Sequence, residues 1–146
     1  LIRTRPIFGQ ATQPVQPGSL LLLLAGDEAA RMNADSILRA IGASGLAGDE
    51  AEDIRSGKSA VRDLWRSINQ AALIIADLTG ADPQVMYALG IAHTLGKDTI
   101  LVQPQGSKYL VDIPKTQSIE YEDSIQGREK LEEQISETLR SMTASL

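Results

Sequence analysis

A chain of 146 residues with 19 acidic and 14 basic side chains carries a net charge of −5. That length fits one domain, and an acidic surface repels phosphate backbones, which excludes general nucleic-acid binding. With no cysteine and a single histidine, His93, a disulfide framework, a thiolate metal centre and a histidine-based zinc site are excluded as well.

Residues 1–18 contain Pro6, Pro14, Pro17, Gly9 and several glutamines and read as a linker or extended N-terminal arm. The domain proper is expected over residues 19–146. Ser19–Leu24 opens it as a continuous apolar run, the mark of a strand buried on both faces. The longest apolar run, Leu20–Ala25, is far short of the roughly 20 residues of a membrane helix. It also lacks the leading basic segment of a signal peptide. The expectation is a cytoplasmic protein with no membrane partner. Because the first residue is Leu1, a piece of a longer chain fused to other domains is also expected.

Gly26 and Asp27 break the first strand. Glu28–Ile41 then carries Met32, Ile37, Leu38 and Ile41 at helical spacing, and Gly42 and Gly45 end that helix. Leu46–Gly57 is polar and acidic, with at best a short edge strand. Ala60–Ala71 predicts a second helix with Val61, Leu64, Trp65 and Ile68 on one stripe. Ala72–Ala76 predicts a second buried strand that stops at Asp77. Asp82-Pro83 has the form of a helix start, with aspartate as N-cap and proline at the first helical position. That helix runs to Leu95, and Gly96 supplies its C-cap. Thr99–Val102 predicts a third strand and Ser118–Tyr121 a short fourth. Gln126–Met142 predicts a charged amphipathic helix with Leu131, Ile135 and Leu139 inward.

Apolar strands alternating with helices predict a single doubly wound α/β domain. It should have a mostly parallel sheet of four to five strands with helices on both faces. Ligands of such folds sit beyond the carboxyl ends of the strands, which are here Ala25-Gly26-Asp27, Asp77-Leu78-Thr79-Gly80 and the segment after Val102. Gly57-Lys58-Ser59 is not a phosphate loop, since Glu52 stands where that motif requires its first glycine and no apolar strand precedes it. The simpler reading makes Ser59 a helix N-cap and leaves Arg55 and Lys58 as solvated loop charges.

The informative segment is Leu73–Gly96, LIIADLTGADPQVMYALGIAHTLG. It resembles the nucleoside 2-deoxyribosyltransferase-like and Toll/interleukin-1-receptor (TIR)-like domains of bacteria. These typically show an apolar strand, Asp-Leu-Thr-Gly, Asn/Asp-Pro and then Tyr-Glu-Leu-Gly-Ile-Ala-His. The likeness spans roughly residues 19–140 and is specific over Leu73–Gln103. It implies a flavodoxin/TIR-like fold and N-glycosidic bond cleavage, in which a helix glutamate acts at the anomeric carbon of the sugar. Residue by residue, Asp77 matches the strand-end aspartate, Asp82 the residue opening the helix and Tyr87 the aromatic before the catalytic position. Thr79 and Gly80 complete the turn, and Gly26 and Asp27 stand where the family often has Met-Pro-Phe lining the ligand.

The family's glutamate position is occupied by Ala88, and a methyl group can neither attack a sugar nor hold its charge. The resemblance therefore implies a nucleoside-, nucleotide- or NAD-binding sensor or regulatory domain that is catalytically silent. One alternative is an N-glycosidase, either a nucleoside deoxyribosyltransferase or an NAD glycohydrolase, seen as a glutamate-to-alanine variant. A second is a TIR-like module that works by self-association, as a homodimer or larger assembly, with the acidic C-terminal helix as a candidate surface. No cofactor or metal is implied. Each site residue also has a structural reading: Asp77 as acceptor for its own turn, Asp82 as N-cap, Tyr87 as a half-buried aromatic, Gly80 as a turn residue.

Overall fold

The computed structural model describes residues 4–11, 13–46, 61–108 and 117–144. Its elements in chain order are β1 (Leu20–Leu23), α1 (Glu28–Ala43), α2 (Val61–Gln70), β2 (Leu73–Asp77), α3 (Pro83–Thr94), β3 (Thr99–Pro104), β4 (Ser118–Tyr121) and α4 (Ile125–Ala144). A single 3-10 turn, Thr79–Ala81, joins β2 to α3. The expected edge strand between residue 47 and Gly57, together with Arg55, Lys58 and Ser59, lies outside the described residues.

The four strands pair in parallel in the order β1-β2-β3-β4. This is the doubly wound α/β architecture expected from the alternation of apolar runs and helical stripes. In a strand, successive side chains point to opposite faces, and the two faces of this sheet feed separate cores. Leu20, Leu22, Ile75, Ile100 and Val102 pack with Ile37, Ala40 and Ile41 of α1 and with Leu131, Ile135 and Leu139 of α4. Leu21, Leu23, Ile74, Ala76 and Leu101 pack with Ile68 of α2 and with Val85, Ala88, Leu89 and Ala92 of α3. Burial on both faces explains why β1–β3 read as unbroken apolar runs. β4 alternates exposed and buried and is covered on one face only.

Helix boundaries follow local chemistry. Asp27 caps α1 by accepting from Ala30 N–H at 2.8 Å, and Asp82 caps α3 by accepting from Gln84 and Val85 N–H at 2.8 and 3.2 Å, with Pro83 at the first position. Gly96, at φ +71°, ends α3, as Gly96 should if it supplies the left-handed residue beyond a helix C-terminus. The inward stripe of α1 differs from expectation. Met32 and Leu38 are 47% and 51% exposed, while the buried stripe is Ala30, Asn33, Ala34, Ser36, Ile37, Ala40 and Ile41. Small alanines let α1 lie close to the sheet, and a polar residue, Asn33, takes a buried position. Among the described residues no helix is long and apolar enough to cross a membrane.

The N-terminal arm folds back on the domain. The Phe8 and Trp65 rings sit with centroids 5.4 Å apart, and Gln16 N–H donates to Gln70 C=O at 2.9 Å.

Candidate functional site

The helices that follow β1 and β2 leave on opposite faces, α1 with one core and α3 with the other. Adjacent parallel strands whose chains diverge in this way open a crevice at their carboxyl ends, where doubly wound folds place ligands. The loops at the carboxyl ends of β1 and β2 are Leu24–Asp27 and Leu78–Asp82, and they touch at Gly80.

Asp77 is the last residue of β2 and is fully buried. Alternation puts it on the same face as Ile75, toward α1 and α4. Its neighbours all donate to it. Thr79 folds back so that its N–H and its hydroxyl reach Asp77 Oδ1 at 3.0 and 2.6 Å, an aspartate-closed turn. Asn33 Nδ2 reaches Asp77 Oδ2 at 3.0 Å and Thr79 Oγ1 at 3.3 Å. The Tyr121 hydroxyl, at the end of β4, lies 2.8 Å from Thr79 Oγ1. Since the one Thr79 hydroxyl proton is given to Asp77, Tyr121 is the donor in that pair.

A second tier fixes these donors. Arg128 Nε donates to Asn33 Oδ1 at 3.1 Å, which settles the orientation of the Asn33 amide, because a guanidinium can only donate. The Arg128 terminal nitrogen donates to Asp123 Oδ1 at 2.6 Å, and Arg128 Cζ sits 5.8 Å from the Tyr121 ring centroid. Four elements, β2, α1, β4 and α4, are thus tied at one point. Among the described residues no buried side-chain nitrogen or oxygen lacks a partner.

Two effects oppose each other at Asp77. Burial raises its pKa above the ordinary aspartate value, the hydrogen bonds from Thr79 and Asn33 lower it, and the nearby Asp27 carboxylate adds to the upward push; the net shift is upward. Burial likewise raises the Tyr121 phenol. Asp77 is fully buried and accepts three hydrogen bonds from Thr79 and Asn33. Its chemical effect on the crevice is to hold the Thr79–Ala81 turn.

That turn carries two left-handed residues, Gly80 at φ +78° and Ala81 at φ +50°. For a non-glycine residue the left-handed region costs about 1–2 kcal/mol. At Gly80 the reason for glycine is twofold. A Cβ built there would lie 2.6 Å from Asp27 Oδ2, so the two strand-end loops touch at this point. One Asp27 oxygen caps α1 and the other lies against Gly80, in an exposed residue.

The structure therefore brings together Asp27, Asp77, Thr79 and Gly80, with Gly26 exposed beside Asp27 and Asp82 closing the same turn. It does not bring Tyr87 and Ala88 to one surface. Tyr87 is 55% exposed on α3, whereas Ala88 is fully buried in the core beneath α3. Asn33 and Arg128 have structural weight that motif reading did not assign to them. The available signal was a polar residue at an inward helical position: Asn33 is four before Ile37 and Arg128 is three before Leu131.

No family model matches the chain, and no curated protein matches it. Among solved structures it is similar to a mutant flavo di-iron protein from Thermotoga maritima, with a TM-score of 0.59 at 9% sequence identity. The match covers 86% of this chain and 37% of the length of that one. At that identity the likeness concerns the fold alone, and it agrees with the doubly wound sheet described above.

Proposed function

We propose that the chain is a cytoplasmic nucleoside- or nucleotide-binding regulatory domain that is catalytically silent in the form described. The observation that carries this reading is the contact between Asp27 and Gly80 at the crevice where α1 and α3 diverge. There the carboxylate of the exposed residue Asp27 lies against a turn bonded from below by Asp77. A carboxylate is an acceptor only, which suits the hydroxyl donors of a ribose. The free N–H groups at the start of α1 favour an anion, but Asp27 and Glu28 lie beside them, so the sugar rather than the phosphate is the better-matched part of such a ligand.

Silence follows from position 88. Ala88 is fully buried in the core cluster that also holds Leu21, Leu23, Val85 and Leu89, and a carboxylate there would enter an apolar core. This favours a binding domain over an enzyme seen as an alanine variant. Self-association through α4 is disfavoured by its outward charge. Glu129, Glu133 and Glu137 lie at helical spacing near Glu132, which pairs with Arg39 at 3.0 Å; with Arg140 on the same patch the face keeps an acidic excess, and two copies of it would repel each other.

Calorimetric titration with adenosine, the other nucleosides, their monophosphates and NAD tests the proposal. Saturable one-to-one binding of at least one of them is expected. A flat response across the set would overturn the proposal and favour an interaction module without a small-molecule ligand.

A further inference from the structure

Most hydrogen-bond partners around Asp77 are fixed in direction, and two are not. The Thr79 backbone N–H, 3.0 Å from Asp77 Oδ1, can only donate. Asn33 Nδ2, 3.0 Å from Asp77 Oδ2, is also confined to donating, because Arg128 Nε holds the amide oxygen at 3.1 Å and prevents a flip. The hydroxyls of Thr79 and Tyr121 can each donate or accept. They stand in series with the carboxylate: Thr79 Oγ1 lies 2.6 Å from Asp77 Oδ1, and Tyr121 Oη lies 2.8 Å from Thr79 Oγ1. All three side chains are buried.

A proton that reaches Asp77 therefore finds its acceptor in Thr79 Oγ1. Thr79 must then turn its own proton away from Asp77, toward Tyr121 Oη, and the Tyr121 proton turns away from Thr79. One proton enters at Asp77 Oδ1, both hydroxyl bonds reverse, and no heavy atom has to move.

We propose that Asp77, Thr79 and Tyr121 form a proton-reversible latch on the turn after β2, closed while Asp77 is ionised and loosened when it takes up a proton. With Asp77 ionised, both bonds from Thr79 are charge-assisted, roughly twice as strong as neutral ones. They offset the cost of the left-handed Ala81 at φ +50°. With Asp77 neutral, the Thr79 N–H keeps only a neutral acceptor, and the turn that sets Gly80 against Asp27 is held less tightly.

The groups that face the latch favour this cycle. Asp27, in the loop after β1, is the charged neighbour of the carboxylate, and together with burial it promotes proton uptake. Arg128 of α4, itself paired with Asp123, acts on Tyr121. α1 presents the neutral Asn33, and β3 sets the apolar Val102 beside Asp77 in register. The latch does not depend on what the turn binds, so its test uses the chain without ligand.

NMR of the full 146-residue chain, titrated from about pH 3 to about pH 8, follows Asp77 Cγ, Tyr121 Cζ and the amides of Thr79, Gly80 and Ala81. Circular dichroism defines the range over which the chain stays folded. In the wild type all these signals should share one inflection. In Thr79→Val, which lacks the middle hydroxyl, the Asp77 inflection should move to higher pH, and Tyr121 Cζ should lose most of its pH-dependent shift. The field of the carboxylate acting alone would leave that Tyr121 response in place. Thr79→Ser should restore the wild-type behaviour. The wild type also supplies a measure that needs no variant: the Thr79 hydroxyl proton should gain Overhauser contact with the Tyr121 ring below the inflection. Separate inflections, a Tyr121 response unchanged in a folded Thr79→Val, a Thr79 hydroxyl proton that keeps one direction, or an Asp77 carboxyl that keeps one protonation state over the folded range would overturn the proposal.

Discussion

Asn33 Nδ2 lies 3.0 Å from Asp77 Oδ2, an amide from the inward stripe of α1 bonded to the carboxylate that ends β2. With Arg128 holding the Asn33 oxygen from behind, this pair fastens the first helix, the second strand and the last helix at the carboxyl end of the sheet. The arrangement leaves Asp77 a positioning residue, and several consequences can be measured.

Replacing Arg128 with methionine keeps a long unbranched side chain and removes the guanidinium, which lies near the Tyr121 ring and donates to Asn33 Oδ1. A buried acceptor left without its donor costs about 1–3 kcal/mol. Urea unfolding of Arg128→Met should show a loss of that size. Asp123, whose side chain is 72% exposed, should give a smaller loss on truncation to alanine, because water replaces its partner.

The stability of the wild type relative to Asp77→Asn should depend on pH in a defined direction. Burial, the largest influence, places the Asp77 pKa above its unfolded value, so folding favours the neutral form. Its contribution is complete below the unfolded pKa and is lost as pH rises through the folded pKa. Denaturation of both proteins from about pH 3 to about pH 8 should show the difference falling with rising pH. A difference that grows over this window would mean that the bonds from Thr79 and Asn33 outweigh burial.

Introducing glutamate at position 88 should destabilise the fold by about 3 kcal/mol or more, because it buries an unpaired charge under α3. The same variant, stabilised by low temperature or osmolyte and shown to be folded, should release no base from nucleosides or NAD. Rapid release would restore the enzyme reading.

Two helical glycines should respond to alanine with opposite signs. A Cβ on Gly127 would collide with the backbone carbonyl of Glu122, so Gly127→Ala should cost about 2 kcal/mol through forced displacement of the start of α4. Gly90 is exposed on α3, and a Cβ there meets nothing within 4 Å. Gly90→Ala should therefore stabilise by about 0.5–1 kcal/mol. Thermal melts of both variants check the contrast.

Much of this architecture is legible in the chain because its signals are local. Five successive leucines and Leu-Ile-Ile-Ala read as strands buried on both faces, and Asp82-Pro83 and Gly96 punctuate α3 where the structure has its ends. Leu131, Ile135 and Leu139 are all fully buried, as their spacing implies. What sequence pattern did not reveal depends on contacts distant in the chain. Hydrophobicity alone turned Met32 and Leu38 inward, whereas the partnership of Asn33 with Asp77, 44 residues away, fixes the rotation of α1. The need for glycine at 127 arises from a carbonyl approaching from the preceding turn, which no propensity reports. The motif Asp77-Leu78-Thr79-Gly80 reads as a turn after β2, as the structure has it, but it gave no sign that Asp77 would be enclosed or that Ala88 would face the core.

We propose that a nucleoside-type ligand binds between the loop after β1 and the turn after β2. Nitrogen-edited NMR titration of the labelled chain with adenosine, AMP and NAD tests it most directly. Saturable shifts concentrated at Gly26, Asp27, Thr79, Gly80 and Asp82 are expected for at least one compound, abolished by Gly80→Val. Shifts confined to other surfaces, or none at saturating ligand, would contradict it.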